Sequence, residues 1–170
     1  CRIDLHVRPG ANTYLTAYHF RNFFMELEST LIDGYPIFIP PQEQYFAYLC
    51  YHGTLHQYMR LGWLMDIRAF LTVKGKTLDY TKIRNQARNM GATDHLHLTL
   101  IVLRDWFGME IPAPLRPYVK DSLRLRILAR SCRRAITRPE GYSMTLRGRI
   151  GKFLYMMVLL RGLSARFDWV

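Results

Sequence analysis

The spacing of apolar residues divides the chain into a short strand-bearing start and a long helical remainder. Ile3, Leu5 and Val7 alternate with Arg2, Asp4 and His6, and the run ends at Pro9-Gly10, which predicts a strand over residues 2–7 and a turn after it. From Tyr14 to Leu31 the apolar positions recur at helical spacing (Phe20, Phe23, Phe24, Leu27, Leu31), and Asp33-Gly34 closes that segment. Tyr35–Ile39 reads as a second short strand stopped by Pro40-Pro41. A strand, a helix and a strand make a small α/β fragment. Two strands alone are marginal, so the sheet is expected to be completed by other residues. The opening on Cys1, already inside a strand, raises the same expectation of a longer protein.

After Pro41 the pattern is helical throughout. Gln42 to about Arg60 and Leu61 to about Val73 read as two helices or one bent helix, with Gly62 near the bend. Lys74-Gly75-Lys76 is a loop. Asp79 or Thr81 can cap a helix that runs to Met90 and stops at Gly91; Thr93 or Asp94 can cap the next, which ends at Phe107-Gly108. Ile111-Pro112-Ala113-Pro114 is a linker, and helices follow at about 116–136 and 146–162, separated by Arg138-Pro139-Glu140-Gly141. The expected fold class is α+β, predominantly α-helical: short N-terminal strands, then a helical bundle.

One helical segment carries chemistry. At about 100° per residue, His52, His56, Met59, Trp63 and Asp66 fall on a single stripe with Arg60 at its edge. A core stripe normally holds Leu, Ile or Phe. Two imidazoles and a carboxylate there must be paired or must face a cleft, because an unsatisfied buried polar group costs roughly 1–3 kcal/mol. Three readings stay open. His52 and His56 could ligate a metal, although Gly53 stands where a metalloprotease helix has Glu. The histidines could be hydrogen-bonded inside a helical core, with Asp66 paired to Arg60 or to a histidine. Or the stripe could be the polar wall of a pocket facing a phosphate or a base.

The run HGxxHxxxRLxWLxD, present as His52, Gly53, His56, Arg60, Leu61, Trp63, Leu64 and Asp66, resembles the uncharacterised nucleotidyltransferase family, bacterial members of the DNA-polymerase-beta-like superfamily. The surrounding order is similar too: Ile3-Asp4-Leu5-His6-Val7 first, a strand ending in Pro before the His-rich helix, then Asp79, Tyr80 and Ile83, Ala87–Gly91 and Phe107-Gly108. The likeness covers roughly residues 2–112. It implies transfer of a nucleotidyl group from a nucleoside triphosphate such as ATP to an unknown acceptor, with Mg²⁺ held by carboxylates on a sheet. Several carboxylates are needed because divalent ions must clamp the attacking and leaving oxygens. Asp4 matches the third of these carboxylates and is the candidate catalytic and metal-binding residue. The resemblance makes His52, His56, Arg60, Trp63 and Asp66 the substrate-binding candidates. The chain departs from the family pattern in lacking a Gly-Ser turn and an Asp-x-Asp pair. It is therefore expected to be inert without an upstream part of the same protein. The implied division is residues 1–41 as a remnant of the nucleotidyltransferase α/β domain, 42–112 as a helical domain with the His-rich motif, and 113–170 as a basic helical region.

Charge narrows the picture. The formal net charge is +11, yet residues 116–170 hold 13 Lys and Arg against 3 Asp and Glu, so nearly all of the excess lies there. Arg126, Arg130, Arg133 and Arg134 line one helix face. That face reads either as solvated or as a contact for an anionic partner, a membrane surface or nucleic acid. Interleaved aromatics that would stack bases are nearly absent from residues 119–141. The rival to a transferase is thus a non-catalytic helical binding module docking through its basic face. Cys1, Cys50 and Cys132 have no zinc-knuckle or disulfide-framework spacing, and no charged, apolar leader precedes the first strand. A cytoplasmic, possible membrane-peripheral location is expected. No Gly-x-Ser-x-Gly, P-loop or dinucleotide fingerprint occurs. His95 and His97 alternate within a helix and point to different faces, so a joint site is not expected.

Overall fold

A computed structural model describes residues 27–138 and 145–160. The expected strand at 2–7 with Asp4, most of the helix expected over 14–31, and residues 139–144 and 161–170 lie outside that range.

Two antiparallel strands, β1 (Glu28–Ile32) and β2 (Tyr35–Ile39), open the described chain, with Thr30 opposite Ile37 and Ile32 opposite Tyr35. The end of the expected 14–31 helix is therefore corrected: Glu28 to Leu31 are strand. Asp33 and Gly34 both have positive φ, 51° and 82°. That is the geometry of a two-residue hairpin turn whose twist matches the strands, and Asp-Gly is among the sequences that adopt it most readily. The turn signal overrode the apolar spacing. Leu31, Tyr35 and Phe38 are exposed on this hairpin.

Six α-helices follow among the described residues: α1 (Gln42–Leu55), α2 (Leu61–Lys74), α3 (Tyr80–Asn89), α4 (Thr93–Phe107), α5 (Leu123–Ile136) and α6 (Leu146–Leu159). The architecture is α+β and predominantly helical, as the sequence pattern predicted. α1 packs against α2, α3 and α4; α4 packs in turn against α3 and α5, and α5 against α6. α4 is the central element. Every residue from Asp94 to Leu103 is buried, so this helix has no solvent face for most of its length. A helix buried all round must be nearly apolar or must have its polar groups matched. Here Asp94, His95, His97 and Thr99 are the polar members.

Helix starts follow capping chemistry where a cap exists. Asp79 accepts hydrogen bonds from the amides of Thr81 and Lys82, as expected. Gly91 and Gly108 stop α3 and α4 in the left-handed region at φ 65° and 62°. Two expectations are corrected. Neither Thr93 nor Asp94 caps α4: Ala92 precedes it, and the Asp94 carboxylate is turned to Arg124 instead. The helix expected from about 116 begins only at Leu123, capped by Ser122, whose hydroxyl accepts from the amide of Leu125. Residues 116–118 form a single 3₁₀ turn containing Pro117, and the backbone then turns extended at Val119 (ψ 111°), so no longer helix grows from it.

Arg124 ties three helices together. One guanidinium nitrogen meets the Asp94 carboxylate of α4 at 2.6 Å, and another donates to the carbonyls of Val158 and Leu159 at the end of α6 at 3.0 and 3.3 Å. Asp94 is nearly enclosed, so it depends on that partner. Arg124→Ala is expected to lower the unfolding free energy by about 1–3 kcal/mol, the cost of leaving such a group unpaired. Urea denaturation at pH 7 measures it; an unchanged midpoint and slope would show that the tie is not part of the frame.

Candidate functional site

The His-rich segment is not one helix. α1 ends at Leu55, and Gln57 and Tyr58 take φ of 54° and 51° before α2 begins at Leu61. The amide of Tyr58 donates to the carbonyl of Gly53 at 2.8 Å, and that of Gln57 to Thr54 at 3.0 Å. This pair of bonds is a Schellman ending with Gln in the left-handed position that glycine usually takes. Each non-glycine residue in that region costs roughly 1–2 kcal/mol, so something must hold the turn. The single stripe through Arg60 is corrected accordingly, and Gly62 is not the bend: it lies in the first turn of α2 with open space around it.

The hold comes from the core. The Tyr58 ring is fully buried and sits against Gly53, where an added Cβ would overlap ring carbons of Tyr58. The Tyr58 hydroxyl meets Thr99 Oγ1 at 2.6 Å, and Thr54 Oγ1 meets His95 Nδ1 at 2.6 Å, so two bonds fix the end of α1 to successive turns of α4. The proton directions follow from counting. Thr99 spends its hydroxyl proton on the His95 carbonyl, so Tyr58 donates to Thr99. Thr54 donates to the carbonyl of Cys50 or Tyr51, so His95 donates from Nδ1 to Thr54. Behind them, the Tyr155 hydroxyl of α6 donates to the Thr54 carbonyl at 2.7 Å and lies 3.6 Å from Cys132 Sγ. Burial pushes the His95 imidazole down to about 4, with Asp94 opposing and Arg124 assisting, so it is neutral at pH 7. Burial likewise pushes the Cys50 and Cys132 thiols up to about 12, and neither supplies a thiolate nucleophile.

The outward side of the same turn carries the sequence candidates. The rings of His52, His56 and Trp63 are mutually in contact, with centroids 4.8 Å apart for the two histidines and 5.2 and 5.1 Å from each to Trp63. The Arg60 guanidinium lies over Trp63, 5.5 Å from its centroid. Tyr48 extends the row, 5.7 Å from His52. The structure thus gathers His52, His56, Arg60 and Trp63 although the helix between them is broken. The rings are half-buried and Arg60 is exposed, so the group forms a surface wall. Asp66 lies exposed further along α2. Asp4 lies outside the described residues. Next to this turn, Leu61 joins Trp106, Phe107, Arg133 and Ile136 around a cleft of about 320 Å³.

A scan against family models matches residues 1–108 to an uncharacterised nucleotidyltransferase family. The chain belongs to that family. No curated protein and no solved structure matches it. The family carries nucleotidyl transfer, and with it a nucleotide substrate and a divalent metal ion in general terms. Among the described residues no group of three or more His, Cys, Asp or Glu could hold such an ion. Several of the carboxylates there are engaged elsewhere: Asp79 caps α3, Glu43 accepts from the Asp79 amide, Asp94 pairs with Arg124, and Asp121 is shared by Arg104 and Arg126. The described residues do not fit a magnesium site.

Sequence reasoning missed Tyr48, whose signal was its place four residues before His52, as His52 stands four before His56. It also missed His95 as the partner of Thr54, a long-range contact that spacing does not carry.

Two outcomes are expected. Gly53→Ala destabilises the protein by about 1–3 kcal/mol through overpacking against Tyr58, read by thermal and urea unfolding. The second concerns pH. The unfolded chain holds an imidazole near 6.5 and the folded chain one near 4, so the unfolded state binds the extra proton between those values. Stability is then fully present above about 6.5 and falls by up to about 3 kcal/mol as pH drops to about 4. His95→Asn, which keeps a donor toward Thr54, removes that slope; equal slopes in both proteins would show that His95 titrates normally.

Proposed function

We propose that this chain forms the nucleotide- and acceptor-facing portion of a nucleotidyltransferase that uses a nucleoside triphosphate as donor. The observation that carries the reading is the group of half-buried His52, His56 and Trp63 with the exposed Arg60, set on a hydrogen-bonded turn inside the family-matched residues. Its chemistry suits a nucleotide. A guanidinium engages phosphate oxygens through charge-assisted hydrogen bonds, imidazoles donate to phosphate or sugar oxygens, and the Trp63 face accepts a planar base. Tyr48 extends the stacking surface, and Trp63 and Asp66 support the wall.

In this reading Asp4 is the chain's own carboxylate for Mg²⁺, and an Asp-x-Asp pair comes from an upstream part of the same protein. The β1–β2 hairpin and the residues before it belong to a remnant of the nucleotidyltransferase α/β domain (1–41), residues 42–112 bear the His-rich wall, and 113–170 form the basic helical region. The acceptor is a class the wall does not specify. The 170-residue chain alone transfers no label from a labelled nucleoside triphosphate with Mg²⁺, whereas the protein carrying the upstream part does. Robust transfer by the chain alone would overturn the division of labour. In the active protein, His52→Ala and Arg60→Ala each lower kcat/KM at least about tenfold, the loss of one charge-assisted contact of about 1.5–3 kcal/mol, with melting unchanged. A large loss of melting temperature with activity retained per folded molecule would favour a structural stripe.

A further inference from the structure

α6 has two apolar faces, and among the described residues only one of them is packed against the core. Its inward face sets Tyr155, Met156 and Leu159 into the core, held there by the Tyr155–Thr54 hydrogen bond and by Arg124 on the last carbonyls. Its outward face carries Leu146, Ile150, Phe153, Leu154 and Val158, all exposed, with Leu146 76% and Leu154 57% accessible. The spacing is i, i+4, i+7, i+8, i+12, which is one continuous stripe of a helix. Contiguous apolar patches rimmed by polar residues are uncommon on monomeric proteins and mark contact surfaces.

The rim identifies the partner. Arg147 is exposed within the first turn of the stripe and Arg149 is exposed at its edge; α5, which packs against α6, also carries exposed Arg130, Arg133 and Arg134. Residues 122–138 and 145–160 contain no Asp or Glu at all. A nucleic-acid surface needs the cations but has no use for exposed Leu, Ile and Val. A second copy of this chain would bring the same unrelieved positive charge against itself. Anionic lipid answers both features, because headgroups take the guanidinium groups while the acyl boundary takes the aliphatic side chains.

We propose that the outward face of α6 docks in the plane of an anionic membrane surface. The helix is roughly 20 Å long at about 1.5 Å per residue. It lies flat, its Leu146–Val158 stripe sunk about 5–10 Å into the headgroup boundary, with Arg147 and Arg149 at phosphate level. No described helix is long and apolar enough to cross a bilayer, so the contact is with the surface only.

Vesicle flotation of the whole chain tests this, with phosphatidylcholine vesicles against vesicles containing phosphatidylglycerol. Binding is expected to the anionic vesicles only and to weaken as sodium chloride rises. Arg147→Ala with Arg149→Ala lowers the partition about thirtyfold, at about 1 kcal/mol per basic residue. Ile150→Asp with Leu154→Asp lowers it at least as far, and both double variants melt like the parent because the changed positions are exposed. Three results would each overturn the proposal: no flotation at low salt, flotation unaffected by the Ile150 and Leu154 changes, or a concentration-dependent dimer abolished by those changes in the absence of vesicles. Tight binding to RNA or DNA that survives loss of Ile150 and Leu154, with no flotation, would assign the basic face to nucleic acid instead.

Discussion

Two hydrogen bonds from the end of α1 to α4, Thr54 to His95 and Tyr58 to Thr99, decide where the first helix stops and which way its last side chains point. α4 is enclosed over ten consecutive residues, so its polar groups must find partners inside the protein. Thr54 and Tyr58 are the partners of His95 and Thr99. Satisfying them forces Gln57 and Tyr58 into the left-handed region, at a local cost that two buried hydrogen bonds and a buried tyrosine ring offset. Gly53 is the residue that lets the ring in.

The HGxxH motif therefore has an inside and an outside. Gly53 and Thr54 face the core and set the turn, while His52 and His56 face outward and meet Trp63 across the break. A turn rigid enough to hold three rings within about 5 Å of one another by packing is what a binding wall needs, since groups that are already placed lose less freedom when a ligand arrives.

Much of this could be read from the chain. Helical periodicity located α1 to α4, Asp79 and the glycines at 91 and 108 marked their ends, and the grouping of His52, His56, Arg60 and Trp63 followed from spacing. The reason for the grouping did not. A continuous helix and a broken one with a tight turn both bring residue 63 back toward residue 56, so the periodicity was satisfied by the wrong path, while Asp66 follows Trp63 by three residues on α2 and is exposed. The break itself was invisible because it depends on His95 and Thr99, some forty residues away. The hairpin at Asp33-Gly34 was legible but was outweighed by apolar spacing that runs on to Leu31. A short-range turn rule is the stronger evidence when its two residues must both take positive φ.

The positive charge also divides on inspection of its contacts. Arg124 is structural, spent on Asp94 and on the carbonyls that end α6, and Arg126 shares Asp121 with Arg104. Arg130, Arg133, Arg134, Arg147 and Arg149 remain exposed. The same α6 that carries the outward stripe reaches inward through Tyr155 to the carbonyl of Thr54, the residue that also bonds His95. Thr54 is thus held from α4 on its side chain and from α6 on its backbone. Both bonds converge on the last turn of α1, next to the His-bearing turn. A fold that places its candidate nucleotide wall and its basic, apolar face on opposite ends of one short hydrogen-bonded path needs no separate linker to keep the two in fixed relation.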